Sequence, residues 1–209
     1  GLVLKDAPPL DRGFRISTAS AATHDETWKT VCGQRSEVRD HYNQLTVDLE
    51  DGDSPQRKLR VVLRAYDEGA ALCYTIPKQP GLEKLTIASE TTQFRFAGNH
   101  ACWPVYSAQG VYSRTTLERV KPNCERPLVV EIAGGPTVAV AEARLVDYAR
   151  MRLAPVKDVA HALQSHLAGE VVAEVPYTTP WRVVMIGDTP AELAERNYLI
   201  LNLNDPRAI

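Results

Sequence analysis

The stretch from Leu45 to Ile76 limits what this chain can fold into more than any other. Leu45-Thr46-Val47-Asp48-Leu49 alternates apolar and polar residues, the two-residue period of a strand with one face in a core. Glu50-Asp51-Gly52-Asp53-Ser54-Pro55 interrupts the pattern, Lys58-Leu59-Arg60-Val61-Val62-Leu63-Arg64-Ala65-Tyr66 resumes it, and Asp67-Glu68-Gly69 closes it. This order predicts an antiparallel hairpin whose loop is longer than a tight two-residue turn. Residues 70–76 continue as a third strand until Pro77 stops it, and Pro80-Gly81 turns the chain. The product is a meander.

Gly1-Leu2-Val3-Leu4 also reads as strand, and further strands are expected over 85–87, 93–96, 127–132, 137–143 and 182–186, divided by breakers such as Gly134-Gly135-Pro136. Repeated short strands at this spacing point to a sandwich or barrel rather than to βαβ units. Two segments read differently. Val156, Val159, Ala160, Leu163 and Leu167 fall at helical spacing, so a short amphipathic helix is expected there. Thr189-Pro190-Ala191-Glu192 fits a capping box with Pro at the first helical position, predicting a helix of about two turns before Asn197. A return to strand is expected over 198–203. No repeat, low-complexity tract or linker divides the chain, so residues 1–209 read as a single β-sandwich domain.

The formal net charge of −2 over 209 residues lacks the basic surplus that phosphate neutralisation needs, which argues against a nucleic-acid partner. The longest uncharged apolar runs, such as Val138 to Ala141 and Tyr198 to Leu201, fall far short of the roughly 20 residues that cross a bilayer, so no membrane span is expected. With neither an initiator Met nor a basic leader at Gly1, the chain reads as a segment cut from a longer one. Cys32, Cys73, Cys102 and Cys124 form no CxxC pair and no His-flanked zinc spacing, and buried thiols are the expectation.

No GxSxG elbow and no Gly-rich phosphate cradle is present, so nothing in the chain reads as autonomous chemistry. Asp25-Glu26-Thr27-Trp28 and the run Gly33 to Asn43 form the densest polar stretch with aromatics. Such a run could line a sugar site or simply be a solvated strand pair. Asp40-His41 admits an acid–base reading beside a structural one. His161 and His166 miss the i,i+4 spacing that would aim both at one metal. Trp181, after the rigid turn Pro176 to Pro180, either fills the core or faces an interface. Glu142 stands apart, because its carboxylate closes the almost uncharged strand Thr137-Val138-Ala139-Val140-Ala141 and must find a cation, donors or water. Arg144 or another arginine could pair with it, and so could a metal.

Seven blocks occur in a telling order: Asp25 to Trp28, Arg39 to Leu45, Tyr66 to Gly69, Gln79 to Leu82, Glu142 to Tyr148, Thr178 to Arg182, and Leu201-Asn202-Leu203-Asn204-Asp205-Pro206. The series resembles the N-terminal domain of glycoside hydrolase family 97, a family of bacterial α-glucosidases and α-galactosidases. The resemblance implies an all-β, galactose mutarotase-like β-supersandwich with one or two short helices, packed on a C-terminal (β/α)₈ barrel that carries the catalytic carboxylates. That barrel would lie outside this chain, as would the family's first strands.

The resemblance further implies a Ca²⁺ ion whose one N-terminal ligand matches Glu142. Calcium takes about six to eight oxygens, so this glutamate would complete a shell built mainly by the barrel. Near an oligosaccharide substrate the matching positions are Gln164, Ser165 and His166. The same resemblance suggests a periplasmic or secreted protein. An autonomous sugar-binding or mutarotase-like module is the alternative function, and an adhesion sandwich without a ligand is another. Cys32, Gln34 and the stretch Cys102 to Tyr106 depart from the family pattern and bear on substrate preference more than on fold.

Overall fold

The computed structural model describes residues 1–52 and 56–205. Sixteen strands follow the chain among these residues: β1 (Leu2–Leu4), β2 (Phe14–Lys29), β3 (Glu37–Asp51), β4 (Lys58–Tyr66), β5 (Gly69–Ile76), β6 (Lys84–Glu90), β7 (Gln93–Arg95) and β8 (Ala101–Trp103), then β9 (Thr115–Thr116), β10 (Leu128–Glu131), β11 (Thr137–Ala143), β12 (Met151–Pro155), β13 (Ala162–Leu167), β14 (Val171–Glu174), β15 (Tyr177–Thr178) and β16 (Trp181–Gly187). Two short helices, α1 (Pro190–Glu195) and α2 (Tyr198–Asn202), close the described chain.

One ten-stranded sheet organises the molecule in the order β2-β3-β4-β5-β16-β11-β10-β8-β9, with β15 also on β5. The expected meander is its first half, since β3–β4 and β4–β5 pair antiparallel in unbroken register. Two three-stranded sheets, β1-β6-β14 and β12-β13-β7, form the second layer. The chain is therefore an all-β sandwich.

Strand alternation divides the large sheet's side chains between two cores. On one face Ala71, Cys73, Ala139, Ala141, Trp181, Val183 and Met185 pack under Leu193 of α1 and Leu199 of α2. On the other, Val138 and Val140 meet Met151, Leu153 and Leu163 of the β12-β13-β7 sheet. Tyr74 and Ile76 meet Leu2, Leu85, Ile87 and Val171 of the β1-β6-β14 sheet. Trp181 fills the core on the helical side. Three of the cysteines, Cys73, Cys102 and Cys124, are buried thiols, pushed by burial up to about 12, 11 and 11 respectively. Cys32 is exposed.

Gly69 closes the β4–β5 hairpin with φ +151°, where a Cβ would stand 2.1 Å from the carbonyl oxygen of Val184 on β16. The sheet's continuity there depends on a residue without a side chain.

Two sequence expectations are corrected. Residues 156–167 are not a helix: β13 pairs with both β12 and β7, and the turn before it carries Asp158 and His161 at positive φ. Inward Ser165 puts a polar residue where the two-residue apolar rhythm needs a hydrophobic one, so the helical spacing of the neighbouring valines and leucines dominates the pattern. Residues 198–203 are not a strand either. Their short apolar run fits both periods, and it forms α2 because Leu199 and Leu203 then lie four apart on one face against the core. The capping-box helix forms as expected, with Thr189 Oγ1 accepting from the Glu192 amide at 3.1 Å.

Leu153 is fully buried between the two layers. Leu153→Ala is expected to destabilise the domain by about 2–5 kcal/mol, read as a lower denaturant midpoint at an unchanged m-value.

Candidate functional site

Glu142 and Arg182 sit directly opposite each other on β11 and β16. Their neighbours of opposite parity, Ala141, Ala143, Trp181 and Val183, turn to the helical side, so both charged chains are driven between the sandwich layers. The Arg182 side chain is 0% exposed. A guanidinium there must be neutralised and hydrogen-bonded. Glu90, at the end of β6, meets it with both oxygens, accepting from Nε at 2.7 Å and from Nη2. Arg182 Nη1 donates to Glu142 Oε2 at 2.8 Å, and the guanidinium lies 5.5 Å from the centre of the Tyr148 ring.

From Glu142 the chain of charges runs outward. Its Oε1 lies 2.5 Å from Arg126 Nε, and Arg126 reaches Glu125 at 3.2 Å. Glu125 also accepts from Arg150 at 3.0 Å and Arg152 at 3.2 Å. Three carboxylates and four guanidiniums thus alternate from the interior to the surface, joining β6, β16, β11 and β12. The Met151 amide adds donations to both Glu142 oxygens at 3.2 and 3.0 Å. The turn that makes this possible places Arg144 and Asp147 at positive φ, and Asn204 Oδ1 accepts from the Arg144 amide at 2.9 Å. The arginine-pair reading of Glu142 is realised by Arg126 and Arg182 rather than by Arg144, which turns to Asp205 at 2.9 Å.

These residues taken alone do not fit a calcium shell. Two guanidiniums and an amide already point at the Glu142 oxygens, a setting that repels a dication. Among the described residues no group of three or more His, Cys, Asp or Glu converges on a point.

The three residues expected near substrate alternate along β13. Ser165 turns inward, donating to Glu90 Oε1 at 3.1 Å with Met151 Sδ at the same distance from its hydroxyl, whereas Gln164 is half-buried beside Gln93 and His166 is exposed. They are sequence neighbours without a common face. His161 is tied to Glu118 at 3.0 Å, away from His166. In the polar aromatic stretch, Tyr42 stacks on His24 at 4.9 Å and carries the Arg64 guanidinium 4.1 Å from its ring centre. Its surface is used within the sheet. Burial pushes the Asp40 carboxyl up, against the opposing charges of His24 and Arg64.

Glu90, Glu125 and Arg126 carry much of this network and had no sequence signal. The reason is clearest at Glu90. Leu4 pairs with Ile87 and Val3 with Ser89, so Ala88 is an extra residue that reverses the facing of the strand's last residues and turns Glu90 inward.

Burial pushes the Glu90 carboxyl up, but the hydrogen bonds and charge of Arg182 outweigh it and hold the group below the usual carboxylate range. A carboxylate so depressed stabilises the fold above its unfolded pKa, and that contribution disappears as pH falls through the folded value. Wild-type stability is therefore expected to drop as pH falls below about 4.3. Arg182→Met is expected to cost about 3–5 kcal/mol at neutral pH by stranding two carboxylates, with a flatter acid limb in chemical denaturation across pH.

The family Glycosyl-hydrolase 97 N-terminal matches residues 1–206. A glycoside hydrolase family 97 enzyme from Pseudoalteromonas sp. strain K8, solved with acarbose, superposes with a TM-score of 0.92 at 28% identity, over 99% of this chain and 32% of that one. A variant of that enzyme holding panose gives the same values. A β-arabinopyranosidase shares the fold at TM-score 0.79 and 21% identity, over 90% of this chain and 34% of its own. The chain thus spans about a third of the solved enzymes it resembles, and it belongs to the N-terminal domain family of glycoside hydrolase family 97.

Proposed function

We propose that this chain is the non-catalytic N-terminal β-supersandwich of an α-glycosidase acting on α-glucosides or α-galactosides, packed on a catalytic (β/α)₈ barrel of the same protein. The observation that carries the reading is the likeness over 99% of this chain to only 32% of the Pseudoalteromonas enzyme. Acarbose and panose bound to that enzyme favour the α-glucoside side. Among the described residues the charged cluster around Arg182 is saturated by its own ion pairs, which suits a scaffold rather than a reaction centre. Exposed Leu145 and Val146, in the turn after Glu142, offer apolar contact to a neighbouring domain. Periplasmic or secreted placement is carried by the family resemblance alone.

Calcium enters the proposal through that same resemblance. By that resemblance Glu142 is the residue of this chain that would lend an oxygen to an ion held mainly by carboxylates of the barrel.

Two experiments test these readings. The intact protein is expected to hydrolyse α-linked substrates, with product anomers followed by NMR deciding retention or inversion, while residues 1–209 alone turn over none. Turnover by the isolated segment would end the scaffold reading. In a calcium titration of the intact protein by calorimetry, Glu142→Gln is expected to weaken binding about tenfold or more. A titration identical to wild type assigns Glu142 to the arginine network and removes it from the metal.

A further inference from the structure

The large sheet ends very differently on its two sides. On one side stands β9, two residues long; on the other stands β2, sixteen residues long and, among the described residues, paired only through β3. Almost all of β2 is exposed, with only Phe14, His24 and Trp28 half-buried. From Ile16 to Thr23 it carries no charge, no proline and no glycine. Over these eight residues the edge lacks charge and proline, the bulge at Ser17 being its one irregularity there, and such a free stretch is an open template for another strand that stable proteins cover or blunt.

The sequence of this edge is complementary to itself. Two antiparallel copies of one strand are related by a dyad perpendicular to the sheet, so one residue faces its own copy. Ser17 is an extra residue on β2, because Ile16 pairs with Leu49 and Thr18 with Asp48. Ladder positions are therefore counted through β3: Ala21 faces Leu45, Arg15 faces Glu50 and Glu26 faces Asp40, so Arg15 and Glu26 stand equally far on either side of Ala21. A dyad at Ala21 puts Ala21 against Ala21, Ser20 against Ala22, Ala19 against Thr23, and Arg15 of each copy against Glu26 of the other. Small uncharged side chains meet at the centre and opposite charges at both ends. Arg15 makes no ion pair within the described residues, so its charge is available. The exposed apolar face formed by Ala19, Ala21, Leu45 and Leu63 then continues unbroken across the dyad.

We propose that β2 pairs antiparallel with β2 of a second copy of this protein about a dyad at Ala21, joining two ten-stranded sheets into one. The occupant is a second copy because the Arg15–Glu26 match is satisfied by this strand's own sequence.

Sedimentation velocity of the intact protein at micromolar concentration tests the arrangement, with circular dichroism confirming that each variant is folded. Wild type is expected to be a dimer. Ala21→Lys, which sets two ammonium groups face to face at an exposed position, is expected to weaken self-association about tenfold or more. An equimolar mixture of Ala21→Lys and Ala21→Glu proteins is expected to regain the dimer. Arg15→Glu is expected to weaken it as well, and the double variant Arg15→Glu/Glu26→Arg to restore it. A monomeric wild type, or a dimer indifferent to Ala21→Lys, overturns the proposal; the former outcome would leave the edge to another part of the same polypeptide.

Discussion

A fully buried guanidinium holds this sandwich together. Arg182 lies where β16 faces the second layer, and it is gripped on one side by Glu90 from that layer and on the other by Glu142 from the neighbouring strand. Such a triad contributes less to net stability than its Coulomb attraction suggests, because all three groups have given up water. Its effect is on specificity. Any register of β11 against β16, or of β6 against β1, other than the native one would leave a charge unpaired in the core. The outward relay through Arg126, Glu125, Arg150 and Arg152 lets the cluster end in solvent rather than in a stranded charge.

The cluster also explains why the blocks that mark the family are spread along the sequence yet few of them look chemical. Glu142 and Arg182, from two blocks, are partners in the same cluster. Trp28 Nε1 donates to Asn202 Oδ1 at 2.9 Å, and Asn202 Nδ2 donates to the Arg39 carbonyl at 2.9 Å, which ties three more blocks at α2. Gln79 receives the Lys58 amide at 2.8 Å and returns a bond to its carbonyl. These side chains bond one another and partly buried backbone groups, and so fix loop paths. A protein can therefore carry a catalytic family's signature in a domain whose polar residues are occupied with one another.

Much of this architecture is legible locally. The meander from β3 to β5, the strand over 137–143 and the capped helix at Thr189 follow from period, breakers and caps, because each depends on residues close in the chain. The isolation of Glu142 in an apolar strand is likewise visible. Where local pattern misleads, a tertiary demand is responsible. Ser165 faces inward because Glu90 needs its hydroxyl, and this erases the alternation that would have marked β13. Residues 198–203 become helix because a core already capped by Leu193 accepts Leu199 and Leu203 from one helical face.

The amino-acid sequence by itself determined the class of fold and the positions of most strands, because these rest on two-residue alternation and on turn chemistry read over a few neighbours, while the family resemblance rested on seven blocks in order along the chain. Tertiary structure alone decided which charges meet. Glu90, Arg182, Glu142 and Arg126 come from four separate stretches, and a one-residue bulge at Ala88 aims the first of them inward. Electrostatic pairing in a low-dielectric interior depends on distance and orientation in space, and neither is encoded by any local period of the chain.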